Sequence, residues 1–223
     1  MKNRPPTPTS LDALALRVRD LEGQTLGHLA HGIGLALPPD LMNHKGLAGQ
    51  LIEHLLGTDA GNQSRPDFTQ LGIELKTIPV NPSRKPKEST YVCTVPLQQR
   101  PYERFETSAV FAKLSHVLWV PILAEGPSVA DWRVLHTVFW KPNADEMTLL
   151  RTDFEELMDA IALCGLCDIT ARMGEALHIR PKASDGKQLT SFIGAQGVRE
   201  PTLPRGFYLR ARFTEKILLA EGN

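Results

Sequence analysis

Residues 66–80 read PDFTQLGIELKTIPV, and this stretch decides the fold class. Within it, apolar and polar residues alternate from Leu71 to Lys76, which is the pattern of a β-strand with one buried face. Asp67 precedes the strand. Glu74 and Lys76 project from the same side of it, because side chains two residues apart in a strand share a face. The stretch therefore predicts a strand that carries a carboxylate and an ammonium group side by side.

The rest of the chain predicts helices and further strands around this one. Apolar residues at helical spacing follow three polar residues that can cap helices, Ser10, Ser108 and Asn143. The predicted helices are 11–21, a short one after Thr25, Gly46 to Leu56, 109–114, a long one after Asn143, and a terminal one capped by Thr214. The predicted strands are 71–76, Thr90 to Val95 as its antiparallel neighbour, Val117 to Leu123, Val134 to Trp140, Ala176 to Arg180, and Gly206 to Phe213. These elements predict an α/β fold with a mixed, partly antiparallel sheet flanked by helices.

The charges balance overall but are unevenly distributed. The chain of 223 residues has 25 basic and 25 acidic residues, so net charge provides no attraction to nucleic acid, and any such surface must be local. The segment 145–168 holds seven carboxylates and one arginine, whereas 171–212 holds eight basic residues and three acidic ones. A basic surface in the C-terminal third and a scatter of solvated charges both agree with this distribution.

Composition also bounds the compartment. Met1 to Thr9 is polar and rich in proline, without the apolar segment that export requires, and no run of about 18 apolar residues occurs. We therefore expect a cytoplasmic protein that does not enter a membrane. Its three cysteines are too few for a disulfide framework. Cys164 and Cys167 lack the further ligands of a zinc site, so burial as neutral thiols at a helix end explains them better.

The stretch around the first strand can support phosphodiester hydrolysis. Such a reaction uses a metal ion to polarise the phosphate and to activate water, and Mg²⁺ prefers oxygen ligands. Asp67, Glu74 and the carbonyl of Leu75 can supply these ligands, and Lys76 can orient water or stabilise the developing charge. This is the Pro-Asp, Glu-x-Lys arrangement of restriction-like nucleases. The alternative reading is an ordinary strand with solvated charges.

Short words elsewhere in the chain make the pattern more specific. They include Lys45-Gly46, Leu51-Ile52-Glu53, Leu56-Gly57, Glu74-Leu75-Lys76-Thr77-Ile78-Pro79, Glu106-Thr107-Ser108, Lys113-Leu114, Val117-Leu118-Trp119, Trp140-Lys141-Pro142, Ile179-Arg180-Pro181-Lys182 and Leu203-Pro204-Arg205-Gly206-Phe207-Tyr208. In order and spacing, from about Thr25 to the terminal helix, the chain resembles the MutH family of methyl-directed mismatch-repair endonucleases.

The resemblance implies a fold, an activity and partners. The fold would be that of restriction endonucleases, and the activity that of a PD-(D/E)xK endodeoxyribonuclease using Mg²⁺. Such an enzyme nicks the unmethylated strand of double-stranded DNA at hemimethylated GATC sites, after activation by MutL and indirectly by MutS. By position, Asp67 and Glu74 would hold the metal and Lys76 would be the catalytic lysine. Glu53 would be a further acidic ligand or base, and Lys113 would lie close to the scissile phosphate.

The resemblance also implies DNA-reading residues. Arg180, Pro181 and Lys182 match the family's reading segment, and arginine suits a bidentate contact with guanine. Tyr208 matches a tyrosine near the target adenine. Alternation predicts that Tyr208, Arg210 and Arg212 share the polar face of one strand, where they would be free to contact DNA. Tyr91 is expected to contact bases, although a tyrosine in the core fits its position equally well.

The expected organisation is a monomer of two lobes. Residues 1–127 would form the catalytic lobe, and residues 128–223 the DNA-recognition lobe with the C-terminal helix. Two alternatives stay open. A type II restriction endonuclease cutting GATC shares the catalytic core, but such enzymes form dimers or repeat the domain, and this chain has no internal repeat. A catalytically silent DNA-binding module would not need Glu53, Asp67, Glu74 and Lys76 together.

Overall fold

The computed structural model describes residues 4–38, 46–61, 63, 65–98, 104–126, 128–164, 166, 169–170, 172–182, 189–193 and 198–220. The helices within this part are α1 (Leu11–Leu21), α2 (Leu26–Gly32), α3 (Leu47–Leu56), α4 (Ala109–Leu114), α5 (Ala144–Cys164) and α6 (Ala211–Ala220). The strands are β1 (Glu74–Val80), β2 (Thr90–Thr94), β3 (Val117–Leu123), β4 (Arg133–Val134), β5 (Val138–Trp140), β6 (Leu177–Pro181), β7 (Thr190–Ile193), β8 (Arg199–Thr202) and β9 (Arg205–Leu209). The predicted α/β class is confirmed. None of the helices described combines the length and apolar character needed to cross a lipid bilayer.

Four of the predicted helices begin with a side-chain cap, three of them at the capping residues that the sequence indicated and one at Thr25. The hydroxyl oxygens of Ser10, Thr25 and Ser108 each accept a backbone N–H from the first turn of α1, α2 and α4. Asn143 and Glu146 exchange side-chain and backbone hydrogen bonds of 2.9 Å at the start of α5, which is a capping box. Each cap contributes about 1 kcal/mol to helix stability. The signals are local, which is why sequence alone locates them.

The chain folds into two compact units that interleave along its length. The first unit comprises Met1–Glu88, Ser115–Lys141 and Glu215–Asn223, and the second comprises Ser89–Leu114 and Pro142–Thr214. The sequence placed a single boundary near residue 127, whereas the chain passes between the units several times. The assignment of catalysis to one lobe and of DNA recognition to the other stays a prediction.

The first unit is built on a four-stranded sheet with β3 at its centre. β1 runs parallel to β3, and β4 and β5 pair antiparallel with β3. Helices α1, α2 and α3 pack their apolar residues into the same core as the sheet, and Leu14, Leu51 and Leu118 are fully buried there. The predicted strand at 117–123 is confirmed, and the strand predicted at 134–140 is divided into β4 and β5.

The predicted antiparallel pairing of the first two strands is wrong. β1 has β3 as its parallel neighbour, and β2 pairs with β9 in the second unit. The intervening loop folds back on the end of β1 instead, through a bridge between Val80 and Pro86 and a hydrogen bond from Lys87 N–H to the carbonyl of Pro79. The chain then continues into β2, which belongs to the sheet of the second unit.

The second unit is built on a three-stranded antiparallel sheet with β9 between β2 and β6. Helix α5 packs against β6, and the ring of Phe154 lies between those of Phe105 and Phe207, with centroid distances of 5.6 and 5.5 Å. A separate hairpin pairs β7 with β8. The sequence predicted neither strand of this hairpin.

The last strand and helix differ from the prediction. β9 ends at Leu209 and α6 begins at Ala211, so Thr214 lies inside the helix, fully buried, instead of capping it. The carbonyl of Arg210 accepts the N–H groups of Phe213 and Thr214, which marks the first helical turn. The polar and apolar residues continue to alternate across this boundary, and for that reason the strand was predicted to extend to Phe213.

Candidate active site

The loop between α3 and β1 fixes Asp67 at two points. Its carbonyl oxygen accepts the backbone N–H of Asp59 at 2.9 Å. Its carboxylate oxygen Oδ2 accepts the backbone N–H of Leu75, also at 2.9 Å. An antiparallel bridge between Phe68 and Ile73 closes the intervening turn and brings Asp67 back beside β1. The carboxylate is therefore held where the strand begins, as the sequence predicted.

Glu74 and Lys76 form an ion pair on one face of β1. Nζ of Lys76 lies 2.7 Å from Oε1 of Glu74, and the side chains are 13% and 2% exposed. The backbone N–H of Glu74 donates to the carbonyl of His116 at 3.0 Å, which ties this end of β1 to the residue before β3. A carboxylate removed from water needs compensation by an opposite charge or by hydrogen bonds. The prediction that these two side chains share a face is confirmed.

The carbonyl of Leu75 faces the same edge of β1 as the carboxylate of Asp67. In a strand, the N–H and C=O groups of one residue point to the same edge, and those of the next residue point to the opposite one. The N–H of Leu75 points to Asp67, whereas that of Glu74 points towards the β3 side. The Leu75 carbonyl oxygen therefore belongs to the edge that carries Asp67.

Glu53 is tied to the same loop through its backbone. It lies in the last turn of α3, a helix that packs against β1, and its carbonyl accepts the N–H groups of Gly57 and Thr58 at 3.0 and 3.2 Å. Within the described ranges, no three Asp, Glu, His or Cys side chains are placed so that they could hold a metal ion together. Glu53 thus does not join Asp67 and Glu74 in such a group in this arrangement, and its role stays a prediction.

The donor set at the start of β1 fits a magnesium ion chemically. Mg²⁺ takes oxygen ligands, and proteins commonly supply only one or two carboxylates while water and substrate phosphate complete the shell. Asp67 and Glu74 are two carboxylates, and Leu75 contributes a carbonyl on the Asp67 edge. A binding site for this ion therefore needs no further acidic residue.

Lys113 belongs to the second unit. It lies on α4 and is 9% exposed, whereas lysines are rarely buried to this extent. Its burial distinguishes it from an ordinary lysine on a helix surface. Its place beside a scissile phosphate stays a prediction.

Four of the predicted DNA-reading residues share one face of the second unit's sheet. In the register of β2, β9 and β6, Tyr91, Tyr208 and His178 form one row across the strands. The rings of Tyr91 and Tyr208 meet edge to face with centroids 5.4 Å apart. The guanidinium of Arg180 lies 5.8 Å from the centroid of Tyr208, and Nζ of Lys182 lies 4.7 Å from that of Tyr91. We call the surface formed by Tyr91, Arg180, Lys182 and Tyr208 the tyrosine face.

Two small residues that the sequence did not single out shape the tyrosine face. The hydroxyl of Thr94 accepts a hydrogen bond from Nζ of Lys182 at 3.1 Å and lies 2.9 Å from the hydroxyl of Tyr91. A Cβ at Gly206 would lie 2.9 Å from a ring carbon of Tyr91 and 3.0 Å from one of Tyr208. The two rings therefore rest on backbone, and any side chain at this position would displace them.

Pro181, Arg210 and Arg212 are placed differently from this group. Pro181 is exposed at the end of β6, opposite Arg205. Arg210 donates from Nε to the carbonyl of Gly174 at 2.9 Å and from Nη2 to that of Met173 at 2.8 Å.

The prediction that Tyr208, Arg210 and Arg212 share a strand face is wrong, because the strand ends between them. Arg212 donates to the carbonyl of Glu175 through Nε and Nη2. A DNA contact of Arg210 stays a prediction.

Asp153, on α5, anchors the start of β6 and was not predicted from the sequence. Its carboxylate is 3% exposed and accepts the backbone N–H groups of Glu175, Ala176 and Leu177 at 2.8, 2.6 and 2.7 Å. A carboxylate that accepts several backbone N–H groups binds them strongly, since each bond is charge-assisted. Because its partners are backbone groups far away in sequence, no residue pattern signals the contact. Asp153 thereby fixes the strand that carries Arg180.

Burial and neighbouring charges shift three pKa values near these sites. Burial, helped by Arg210 and Arg180, lowers the pKa of His178 to about 4, so its ring is neutral at pH 7. Nε2 of His178 lies 3.2 Å from the hydroxyl of Ser89, and Nδ1 is buried without a hydrogen-bond partner in the described part of the protein. Burial also lowers the pKa of Arg210. Hydrogen bonds from the hydroxyl and amide of Thr69 hold the pKa of Asp59 below its usual value.

The cysteines add no chemistry that the structure describes. Cys93 lies on β2 as a buried thiol that forms no disulfide. α5 ends at Cys164, and Cys167 lies outside the described residues.

Comparison with known proteins gives a consistent family. The family model described as "DNA mismatch repair enzyme MutH" matches residues 56–153. Proteins named "DNA mismatch repair protein MutH" are similar over nearly the whole chain. The one from Shewanella woodyi is 45% identical over 215 residues, covering 96% of this chain and 93% of that protein. The one from Serratia proteamaculans is 46% identical over 215 residues, covering 96% and 94%. The one from Escherichia coli K12 is 47% identical over 212 residues, covering 95% and 93%.

Proposed function

The chain belongs to the MutH family of DNA mismatch repair enzymes, and from that premise we propose that it is a Mg²⁺-dependent endonuclease that nicks the unmethylated strand at hemimethylated GATC sites. The observation that carries the proposal is the arrangement at the start of β1. There the carboxylate of Asp67 accepts the N–H of Leu75, one residue away from the buried pair of Glu74 and Lys76. A buried carboxylate and ammonium pair, with a second carboxylate held by the backbone of the residue between them, matches what a metal-assisted phosphodiesterase needs.

Each group has a distinct task in this reaction. When bound, Mg²⁺ supplies the polarisation of the phosphate and the activation of water. Asp67, Glu74 and the carbonyl of Leu75 would hold it. Lys76, whose ammonium lies beside Glu74, stabilises the negative charge that develops on the phosphate in the transition state. Glu53 is proposed as a further acid or base, and Lys113 as a second positive charge at the phosphate.

The tyrosine face is proposed to read the DNA. Arg180 is suited to a bidentate contact with guanine, which discriminates against a wrong base by about 1 to 3 kcal/mol. Tyr208 is proposed to sense adenine methylation, because a methyl group crowds an aromatic ring that lies against the base. Lys182 adds a positive charge to the same face, and Tyr91 and Pro181 are proposed as apolar contacts. The cation and ring contacts within this face favour a preformed reading surface.

The proposed partners follow from the family. We propose that MutL activates nicking and that MutS acts indirectly, upstream of MutL, on a chain that is monomeric and cuts one strand at a time. The support for these partners is the similarity to mismatch-repair proteins over nearly the full length.

A nicking assay on matched duplexes tests the proposal. The duplexes carry one GATC site that is unmethylated, hemimethylated or fully methylated, with a fourth in which one base of GATC is changed. We expect nicks in the unmethylated strand only, dependence on Mg²⁺, and acceleration by MutL. Asp67→Asn should abolish nicking and retain DNA binding, because it removes a ligand charge that otherwise repels phosphate. Asp20→Asn, a change of an exposed carboxylate on α1, is the control and should nick normally.

Three outcomes would contradict this function. Double-strand cutting of unmethylated DNA without any effect of MutL would identify a restriction endonuclease. Specific DNA binding without cleavage would identify a silent module. Full activity in Asp67→Asn would show that the assigned site is not the catalytic one.

A further inference from the structure

Asp59 makes an unusual set of contacts around Asp67. Its backbone N–H donates to the carbonyl of Asp67 at 2.9 Å. Its carboxylate reaches past that residue, so that Oδ1 accepts the backbone N–H of Thr69 at 2.9 Å and Oδ2 accepts the Thr69 hydroxyl at 2.6 Å. Asp59 thus donates one hydrogen bond to position 67 and accepts two from position 69. We call Asp59, Asp67 and Thr69 with these bonds the Asp59 clip.

The clip connects two elements that carry proposed functional residues. Asp59 follows α3 closely, after Gly57, which is the C-cap with φ of 78°, and Thr58, whose N–H donates to the carbonyl of Glu53. On its other side, the clip holds the backbone of Asp67, whose carboxylate in turn accepts the N–H of Leu75. A continuous series of hydrogen bonds therefore runs from the end of α3 to the start of β1.

The contacts of Asp59 indicate what its carboxylate does. Both of its oxygens accept hydrogen bonds from a single neighbour, Thr69. These contacts favour a structural role for the carboxylate over that of a further metal ligand. Without the two side-chain bonds of the clip, Thr69 would be released, and the Asp67 carbonyl would keep the backbone N–H groups of Asp59 and Ala60, at 2.9 and 3.4 Å, as its partners in this loop.

We propose that Asp59 is a positioning residue that sets the place of the Asp67 carboxylate through the hydrogen bonds of the clip. This inference rests on the proposed function, because it assigns Asp59 to the same metal-binding site. Asp59 does not touch the metal or the DNA. It acts by limiting the positions that the Asp67 backbone can adopt, and small displacements of a reacting group are costly, about 100-fold in rate for 1 Å.

Three variants separate the clip from charge and from stability. Asp59→Ala removes both side-chain bonds. Asp59→Asn keeps them, because the amide oxygen accepts the Thr69 N–H and the amide NH₂ donates to the Thr69 hydroxyl. Thr69→Val keeps the backbone bond and loses only the hydroxyl, and it serves if Asp59→Ala fails to fold. Asp20→Ala removes a different exposed carboxylate of the first unit and is the control for charge.

The stability of each variant is first measured by urea unfolding, and its function is then measured in two ways that do not depend on each other. The first is the steady-state nicking of a hemimethylated duplex over a range of Mg²⁺ concentrations. The second is Mn²⁺ binding to the DNA-free protein, followed by electron paramagnetic resonance. For Asp59→Ala we expect kcat to fall about 10- to 100-fold with KM for DNA nearly unchanged, and both metals to bind several-fold more weakly. Thr69→Val should lie between this variant and the wild type, and Asp59→Asn and Asp20→Ala should be close to the wild type.

Two results would overturn the positioning role. If Asp59→Ala unfolds at lower urea but binds Mn²⁺ and depends on Mg²⁺ as the wild type does, the clip serves stability alone. If Asp59→Asn is as impaired as Asp59→Ala, the negative charge matters and the hydrogen bonds do not. Failure of the proposed function looks different, since the wild type itself would then fail to nick DNA. The inference is in that case decided by Mn²⁺ binding, and it fails if the wild type binds no Mn²⁺.

Discussion

Replacing Lys76 of β1 with methionine should lower the free energy of unfolding substantially. The variant removes the ammonium that lies 2.7 Å from Oε1 of Glu74 and keeps an unbranched stem of similar length. At an effective dielectric constant near 20, two unit charges about 4 Å apart attract each other by about 4 kcal/mol. Since Glu74 is only 2% exposed, it cannot recover this energy by turning to water.

The expected loss of unfolding free energy is about 3 kcal/mol, at the lower end of the range for breaking a buried ion pair, because Lys76 is 13% exposed and the methionine gains some apolar burial. Glu74→Gln should cost less, about 1 kcal/mol, because the remaining ammonium can bend towards solvent. The double variant should be more stable than Lys76→Met alone, with a coupling energy of about 2 kcal/mol between the two sites.

The assay is urea unfolding in EDTA, so that no divalent ion takes the place of the ammonium. With a slope of about 2 to 3 kcal/mol per molar, Lys76→Met should lower the midpoint by about 1 M. These free energies are defined only for two-state unfolding. Coincident transitions in fluorescence and far-UV circular dichroism test that condition. If Lys76→Met unfolds at the wild-type midpoint and the two changes are additive, the pair is not an energetic unit and the reasoning from its burial is wrong.

Three further predictions concern the second unit, of which the first is measured by nicking and the other two by stability. Tyr208→Ser should lose the preference between methylated and unmethylated sites, whereas Arg180→Ala should accept other bases in the site. Nicking of duplexes that differ in one methyl group or in one base distinguishes the two effects. An unchanged methyl preference in Tyr208→Ser would exclude the sensing role of Tyr208. Gly174→Ala should lower the free energy of unfolding in urea by at least about 2 kcal/mol, because φ is 74° and the new Cβ would lie 1.8 Å from the carbonyl oxygen of Leu177. The control Gly72→Ala, where φ is 64° and the new Cβ would meet no atom within 4 Å, should lower it by about 1 kcal/mol. Equal losses in the two variants would contradict the steric argument. The pKa of His178 is lowered to about 4 in the folded protein, so between about pH 6.5 and pH 4 the histidine is protonated in the unfolded chain but neutral in the folded one. The wild type should therefore lose stability relative to His178→Gln as the pH falls through this range. A difference in stability that does not change with pH would rule this out.

Features that depend on near neighbours in sequence were predictable. The caps at Ser10, Ser108 and Asn143 act within one helical turn, and the common face of Glu74 and Lys76 follows from the two-residue period of a strand. The position of Asp67 beside β1 could be anticipated because only a short turn separates the two.

Features that depend on pairing between distant segments were not predictable. β2 could be located as a strand, yet nothing local distinguishes pairing with β1 from pairing with β9. Asp59 and Asp153 bind backbone N–H and hydroxyl groups, and such partners carry no signature in the residue pattern. The sequence could therefore nominate the reactive groups at the start of β1 but not the residues that hold them in place.

The interleaving of the two units sets the order in which the protein can be made. During synthesis, the first 88 residues leave the ribosome early, but their unit also requires Ser115–Lys141 and the segment that begins at Glu215. Ile217 and Leu218, which are 3% and 0% exposed, belong to that segment and are translated only after every part of the second unit. The N-terminal unit cannot be completed ahead of the rest, as it is in chains whose domains follow one another. A chain whose synthesis stops before Glu215 lacks these two buried side chains of the first unit, and we expect it to expose apolar surface to chaperones and proteases.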